Sequence, residues 1–98
     1  MRKAIFKYLL DIQDENKISM PKGAEILTCQ TQNDKQPCVW AIIDTEQKET
    51  EVRHFEILGT GHTANALNEG YKRIYISTFQ ILNGSLVFHL FEINNNNG

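Results

Sequence analysis

The segment Gly59–His62, Gly-Thr-Gly-His, is the part of the sequence whose residue types and spacing best suit binding chemistry. Two glycines let a backbone turn sharply, and successive N–H groups in such a turn can form a concave seat for a phosphate or carboxylate. The histidine adds a hydrogen bond, or a positive charge at lower pH. Because the spacing fits neither a P-loop nor a dinucleotide fingerprint, it indicates either a structural turn or a ligand-contacting loop.

Arginine and aromatic side chains on the flanking strands complete this candidate site. Alternation along a strand places Arg53 on the same side as Phe55, and Tyr75 and Phe79 on the same side as Arg73. Arginine can neutralise a phosphate and an aromatic ring can stack on a base, although the same pattern describes arginine stems lying across a core edge. The predicted ligand-binding residues are Gly59, Thr60, Gly61, His62, Arg53, Arg73, Tyr75 and Phe79.

Catalysis and metal binding have weaker support in the sequence. Ser77, Ser85 and the two cysteines lack a motif such as GxSxG that would accompany an activated nucleophile. His54, His62 and His89 have no spacing that would gather them around a metal ion. We therefore predict that the protein is not an enzyme and has no catalytic residues, no metal site and no cofactor.

Short alternating or apolar runs separated by turn residues occupy most of the 98-residue chain. They cover residues 3–12, 24–32, 38–44, 52–58, 73–82 and 85–93, with a shorter extended piece near residue 19. The continuous apolar run at 38–44 is typical of a central strand covered on both faces. Asn83-Gly84 is a hairpin signal, residues 45–51 resemble a charged hairpin loop, and 63–72 is the one helix candidate.

These runs predict an all-β fold: a small antiparallel β-sandwich or barrel of six to seven strands, mostly a meander. We expect a single domain over residues 1–93 and a disordered tail over 94–98.

A net charge of −2 disfavours nucleic-acid partners, and the short apolar runs disfavour a membrane partner. An N-terminus broken by Lys7 and Asp11 is unlike a signal peptide. We expect an intracellular protein in which Cys29 and Cys38 are buried free thiols.

Five segments of the chain resemble a known family. In order, PKGAEIL, CVWAIID, RHFEILGTGH, YISTFQ and GSLVFHLFE are similar to a family of small uncharacterised all-β bacteriophage and prophage proteins, with the recurring pattern PKGA…WAxxD…GTGH…FHxFE. The resemblance covers about residues 3–92 and implies a viral setting without an activity; Thr63 stands where the family pattern often has a proline. The positions carried over are Trp40, Asp44, Gly59, Thr60, Gly61, His62, His89 and Glu92.

A viral setting implies stoichiometric binding as the mode of action. The leading hypothesis is a non-enzymatic protein of the host cell cytoplasm that homo-oligomerises and sequesters a small anionic, nucleotide-like ligand, as sponges of bacterial immune signals do. One alternative is a protein-binding inhibitor of a host defence system that uses an edge strand or the charged loop 45–51. The other is a virion or assembly accessory domain.

Overall fold

Alternating apolar and polar residues form seven strands in the computed structural model, which describes residues 2–63 and 70–94. The strands are β1 (Lys3–Leu9), β2 (Glu15–Pro21), β3 (Glu25–Gln32), β4 (Gln36–Asp44), β5 (Thr50–Gly59), β6 (Lys72–Ile81) and β7 (Leu86–Asn94). The all-β prediction is confirmed. No helix within the described residues could cross a membrane.

Two antiparallel sheets pack face to face, with strand orders β1-β4-β3 and β2-β5-β7-β6. The Cα atoms span 41 × 35 × 16 Å, and the short dimension suits two layers about 10 Å apart. The predicted sandwich is therefore confirmed.

The meander part of the prediction is wrong, because among the described strands only the β3–β4 and β6–β7 pairs join consecutive strands. The chain passes between the two sheets after β1, β2 and β4, so that successive apolar faces cover each other instead of lying side by side. The charged segment 45–49 is accordingly a connection from one sheet to the other, and not the hairpin loop expected from its composition.

Two predictions fall wholly or partly on residues outside the described ranges. The helix candidate at 63–72 includes residues 64–69, and β6 begins at Lys72. The predicted tail includes residues 95–98, and Asn94 is the last residue of β7.

The core lies between the sheets. β4 is the central strand of its sheet, as predicted, and both cysteines are buried free thiols, as predicted. Burial raises the pKa of Cys29 to about 12, because a thiolate cannot be solvated there. The buried apolar side chains include Leu10, Met20, Cys29, Val39, Ala41, Ile43, Phe55, Ile57, Phe79, Ile81 and Leu90.

Hydrogen bonds between the two sheets close one side of the sandwich, where β3 and β6 run past each other. The buried hydroxyl of Ser77 donates to the carbonyl of Cys29 at 2.7 Å. The hydroxyl of Thr31 donates to the carbonyl of Gln80, also at 2.7 Å. The other two edge strands, β1 and β2, lie on the opposite side of the sandwich, which we call the open side.

Candidate functional site

The Gly59–His62 loop is a tight turn at the end of β5. The N–H of His62 donates to the carbonyl of Gly59 at 3.0 Å, and Gly61 has φ of +87°, which is the pattern of a type II turn. The ring of His62 folds back over the turn: a Cβ at position 59 would lie 2.6 Å from its Nδ1. Glycine at 59 therefore makes room for the imidazole, and glycine at 61 permits the turn.

Two backbone N–H groups of this loop are bonded within the protein. The N–H of Thr60 donates to the carbonyl of Val87 at 3.2 Å, and that of His62 is used by the turn itself. A seat for an anion would need such groups to be free and to converge. The structural-turn interpretation therefore describes the backbone, and any ligand contact here would come mainly from side chains.

Two adjoining clefts meet at this loop. The larger, about 290 Å³, lies between Gly59, Thr60 and His62 and the start of β7 at residues 85–88. The smaller, about 130 Å³, lies between the loop, residues 12–14 and Ile57. Both are lined by Gly59, His62 and Phe88. Among the described residues that line them, no lysine or arginine is present, so His62 is the side chain there that can become positively charged.

The two arginines of the predicted site are bound to carboxylates of the chain itself. Arg53 donates through Nε and Nη2 to both oxygens of Glu92 and through Nη1 to the carbonyl of Ala24 at 2.7 Å. The hydrogen bond that Arg53 donates to Glu92 raises the pKa of the guanidinium. Arg73 donates to both oxygens of the fully buried Glu56, at 2.6 and 3.3 Å. Both guanidinium groups are therefore already paired with a carboxylate, and a phosphate would have to displace that carboxylate in order to bind.

The two aromatic residues of the predicted site lie in different environments. Phe79 is 2% exposed and packs in the core against Phe88, with ring centroids 5.6 Å apart. Tyr75 is 59% exposed and meets Phe91 edge-on at 5.8 Å. Phe79 therefore cannot stack on a ligand base, and it supports the cleft wall from behind.

A β-bulge explains why Tyr75 and Phe79 do not share a face. The β6–β7 register shifts between Tyr75 and Ser77, so that Tyr75 pairs with Phe91 but Phe79 pairs with Phe88. Residues of one parity before and after the bulge consequently point to opposite sides of the sheet.

A chain of side-chain hydrogen bonds links the loop to Tyr75 across β7 and β6. The hydroxyl of Thr60 lies 2.7 Å from Nε2 of His89, and Nδ1 of His89 lies 2.9 Å from the hydroxyl of Thr78. The Thr78 hydroxyl lies 2.8 Å from that of Tyr75. Thr78 carries no motif and is not among the predicted site residues. The register set by the Asn83-Gly84 hairpin, which pairs Thr78 with His89, was the signal for it.

The remaining positions predicted from the family resemblance contact other groups of the chain. Glu92 holds Arg53, and Asp44 accepts a hydrogen bond from the N–H of Glu46 at 2.9 Å. Trp40 is half-buried, with the ammonium of Lys7 5.9 Å from its ring centre. Across residues 2–63 and 70–94, no three His, Cys, Asp or Glu side chains gather as a metal site would require.

Comparison with known proteins adds the family. No curated protein and no solved structure matches the chain. A family model described as Domain of unknown function (DUF7352) matches residues 1–98. The chain therefore belongs to the DUF7352 family over its full length.

Proposed function

We propose that this chain is a non-enzymatic, phage-encoded binding protein that assembles with copies of itself and sequesters a small nucleotide-like ligand in the host cytoplasm. The observation that carries the proposal is the position of His62. Its ring, which the missing Cβ of Gly59 accommodates, lies where two clefts adjoin. The viral setting rests on the resemblance of the five sequence segments described above.

The residues around the clefts narrow the class of ligand. The ring of Phe88 offers an apolar surface, and His62, Thr60 and Ser85 offer hydrogen-bonding groups, a combination suited to a planar heterocycle. The carboxylate of Asp14 lines the smaller cleft and disfavours negative charge there. The site therefore suits the base or nucleoside part of a ligand with negative charge near His62. A polyphosphate would need cations from another subunit.

Native mass spectrometry of the protein mixed with cyclic and linear nucleotides, followed by calorimetric titration of any ligand found, tests the proposal. We expect whole ligand masses to be added, and His62→Ala to weaken binding by about tenfold or more through the lost polar contact. Gly59→Ala should weaken binding as well, because the new Cβ displaces the imidazole. Gln47→Ala is the control, since it lines a separate cavity of about 330 Å³ that shares no residue with the two clefts. A protein that binds no nucleotide, or that binds equally well without His62, would overturn the proposal.

A protein-binding inhibitor of a host defence system is the second candidate, and exposed apolar side chains on β1 favour it. Ile5 is 62% exposed and Leu9 60%. The charged loop 45–51 is a weaker candidate for the contact, because Glu49 pairs with Lys22 and Glu51 accepts from the N–H of Gly23. Suppression of the host defence, measured as restored phage growth, that survives His62→Ala but is lost in Ile5→Lys would favour this candidate.

A further inference from the structure

Strand β1 is an edge strand with exposed apolar side chains on both of its faces. Ile5, Phe6 and Leu9 are 62%, 47% and 60% exposed, and Ile5 and Phe6 point to opposite faces. The other edge strands differ: β3 and β6 are joined to each other by hydrogen bonds, and β2 ends in Pro21, which has no N–H to donate. An apolar edge without proline is a template for another strand.

The backbone of β1 also offers hydrogen bonds on this open side. At the two ends of the β1–β4 ladder, Leu10 donates to the carbonyl of Pro37 and Thr45 donates to that of Arg2, each directly across the pair. Hydrogen-bonded pairs alternate in an antiparallel ladder, so the even-numbered residues of β1 bond to β4. The groups that point away from β4 are those of Lys3, Ile5, Lys7 and Leu9.

We propose that β1 pairs with β1 of a second copy of this chain, antiparallel about a two-fold axis at Phe6. The two three-stranded sheets would then form one six-stranded sheet. Lys3 would face Leu9 of the second copy and Ile5 would face Lys7, and these pairs would exchange about eight hydrogen bonds. The two Phe6 rings would meet at a non-hydrogen-bonded position, where opposed side chains are closest.

The lysines of β1 select this register. Moving the axis to Ile5 would place Lys3 directly opposite Lys7 of the second copy, and moving it to Lys7 would place two Lys7 side chains opposite each other. Like charges in directly opposed positions destabilise a strand pair. Of these three centres, Phe6 is the one that sets every lysine against an apolar side chain. This self-complementarity favours a second copy over an unrelated strand as the occupant.

The proposed function includes assembly with copies of the same chain, and the β1 pair supplies the interface for that assembly. The observations that support this interface concern β1 alone. The His62 clefts and β1 share no lining residue. Ligand binding and dimerisation can therefore fail independently. His62→Ala should weaken ligand binding and leave the dimer intact. A wild-type chain that binds the ligand as a monomer would contradict the proposed interface and leave the proposed ligand site standing.

Sedimentation velocity of the full chain, from about 1 to 100 μM, tests the interface. The wild type should show twice the 11.3 kDa of the chain. Ile5→Lys places a lysine opposite Lys7 in both of the symmetry-related pairs of the dimer. It should raise the dimer dissociation constant about tenfold or more. Ile5→Glu places a carboxylate there instead and should stay within about threefold of the wild type. Val52→Lys is the matched control, since Val52 is 66% exposed but lies on β5, and it should change nothing.

Circular dichroism of each variant confirms that the fold is retained. Three outcomes would overturn the inference: a monomer at about 100 μM, a dimer insensitive to both Ile5 substitutions, or a dimer weakened equally by lysine and glutamate. A monomer that instead docks another protein on β1 would also overturn it, and would favour the inhibitor candidate.

Discussion

Replacing Glu92 with glutamine is expected to lower the free energy of unfolding by about 3 kcal/mol, because it leaves the Arg53 guanidinium without its main counter-charge. The two side chains are 17% and 10% exposed, so water replaces little of the lost interaction. Arg53 is also held by the carbonyl of Ala24 and cannot turn outward without losing that bond. Glu51, 3.6 Å away and more exposed, supplies some residual charge, which places the cost at the lower end of the range for a broken buried pair.

Urea denaturation of the wild type and Glu92→Gln measures this loss directly. The matching decrease in Tm for a domain of this size is about 12 °C or more. Glu49→Gln is the control, because the ion pair of Glu49 with Lys22 has side chains 73% and 62% exposed. Its removal should cost less than about 0.5 kcal/mol.

A double variant separates loss of charge pairing from loss of packing. Arg53→Met combined with Glu92→Leu removes both charges and should recover much of the lost stability, since neither ion is then buried alone. The reasoning is refuted if Glu92→Gln costs less than about 1 kcal/mol with an unchanged m-value, or if the double variant is less stable than the single one.

Three further predictions concern the core and the turn. Ser77→Ala should cost about 1–2 kcal/mol in urea denaturation by leaving the buried carbonyl of Cys29 without its donor, and an unchanged midpoint would contradict this. The unfolded Cys29 thiol ionises from pH 9.0 but the folded one only near about 12, so its contribution to stability is complete below pH 9 and is lost as pH rises toward 12. Denaturation at pH 8 and 10.5 should show a steeper decline for the wild type than for Cys29→Ala, and parallel declines would contradict the shift. Gly61→Ala should lower stability by about 1 kcal/mol because φ is +87°, and a Tm equal to the wild type would contradict that strain.

Local signals in the sequence predicted the strands, but the order of strands in the sheets depends on distant residues. Asn83-Gly84 marked the β6–β7 hairpin, where Leu82, Asn83 and Gly84 all have positive φ. The partners of β1 and β2, in contrast, are β4 and β5, and two other strands intervene along the chain in each case. Alternation of apolar residues shows which face is buried and not which strand lies alongside, so a meander was the default expectation.

The candidate site shows the same limit at the scale of single residues. The glycines and His62 were predictable because their roles are local to one turn. The environment of Phe79 was not, because one extra residue between Tyr75 and Ser77 reverses the face on which all later residues lie. Nor were the partners of Arg53 and Arg73 predictable: Glu92 lies on β7, which neighbours β5 only in the folded sheet, and Glu56 lies on β5, which is separated from β6 by β7.

The hydrogen-bond chain from Thr60 to Tyr75 has two internally consistent directions. A neutral His89 carries one ring proton, so if Thr78 donates to Nδ1, then Nε2–H donates to Thr60, and the reverse arrangement reverses every hydroxyl in the chain. Thr60 lines the larger cleft. A ligand that offers Thr60 a donor would fix one tautomer of His89, and one that offers an acceptor would fix the other. The nitrogen resonances of His89 would thus report the polarity of whatever occupies the cleft, at a distance from the ligand itself.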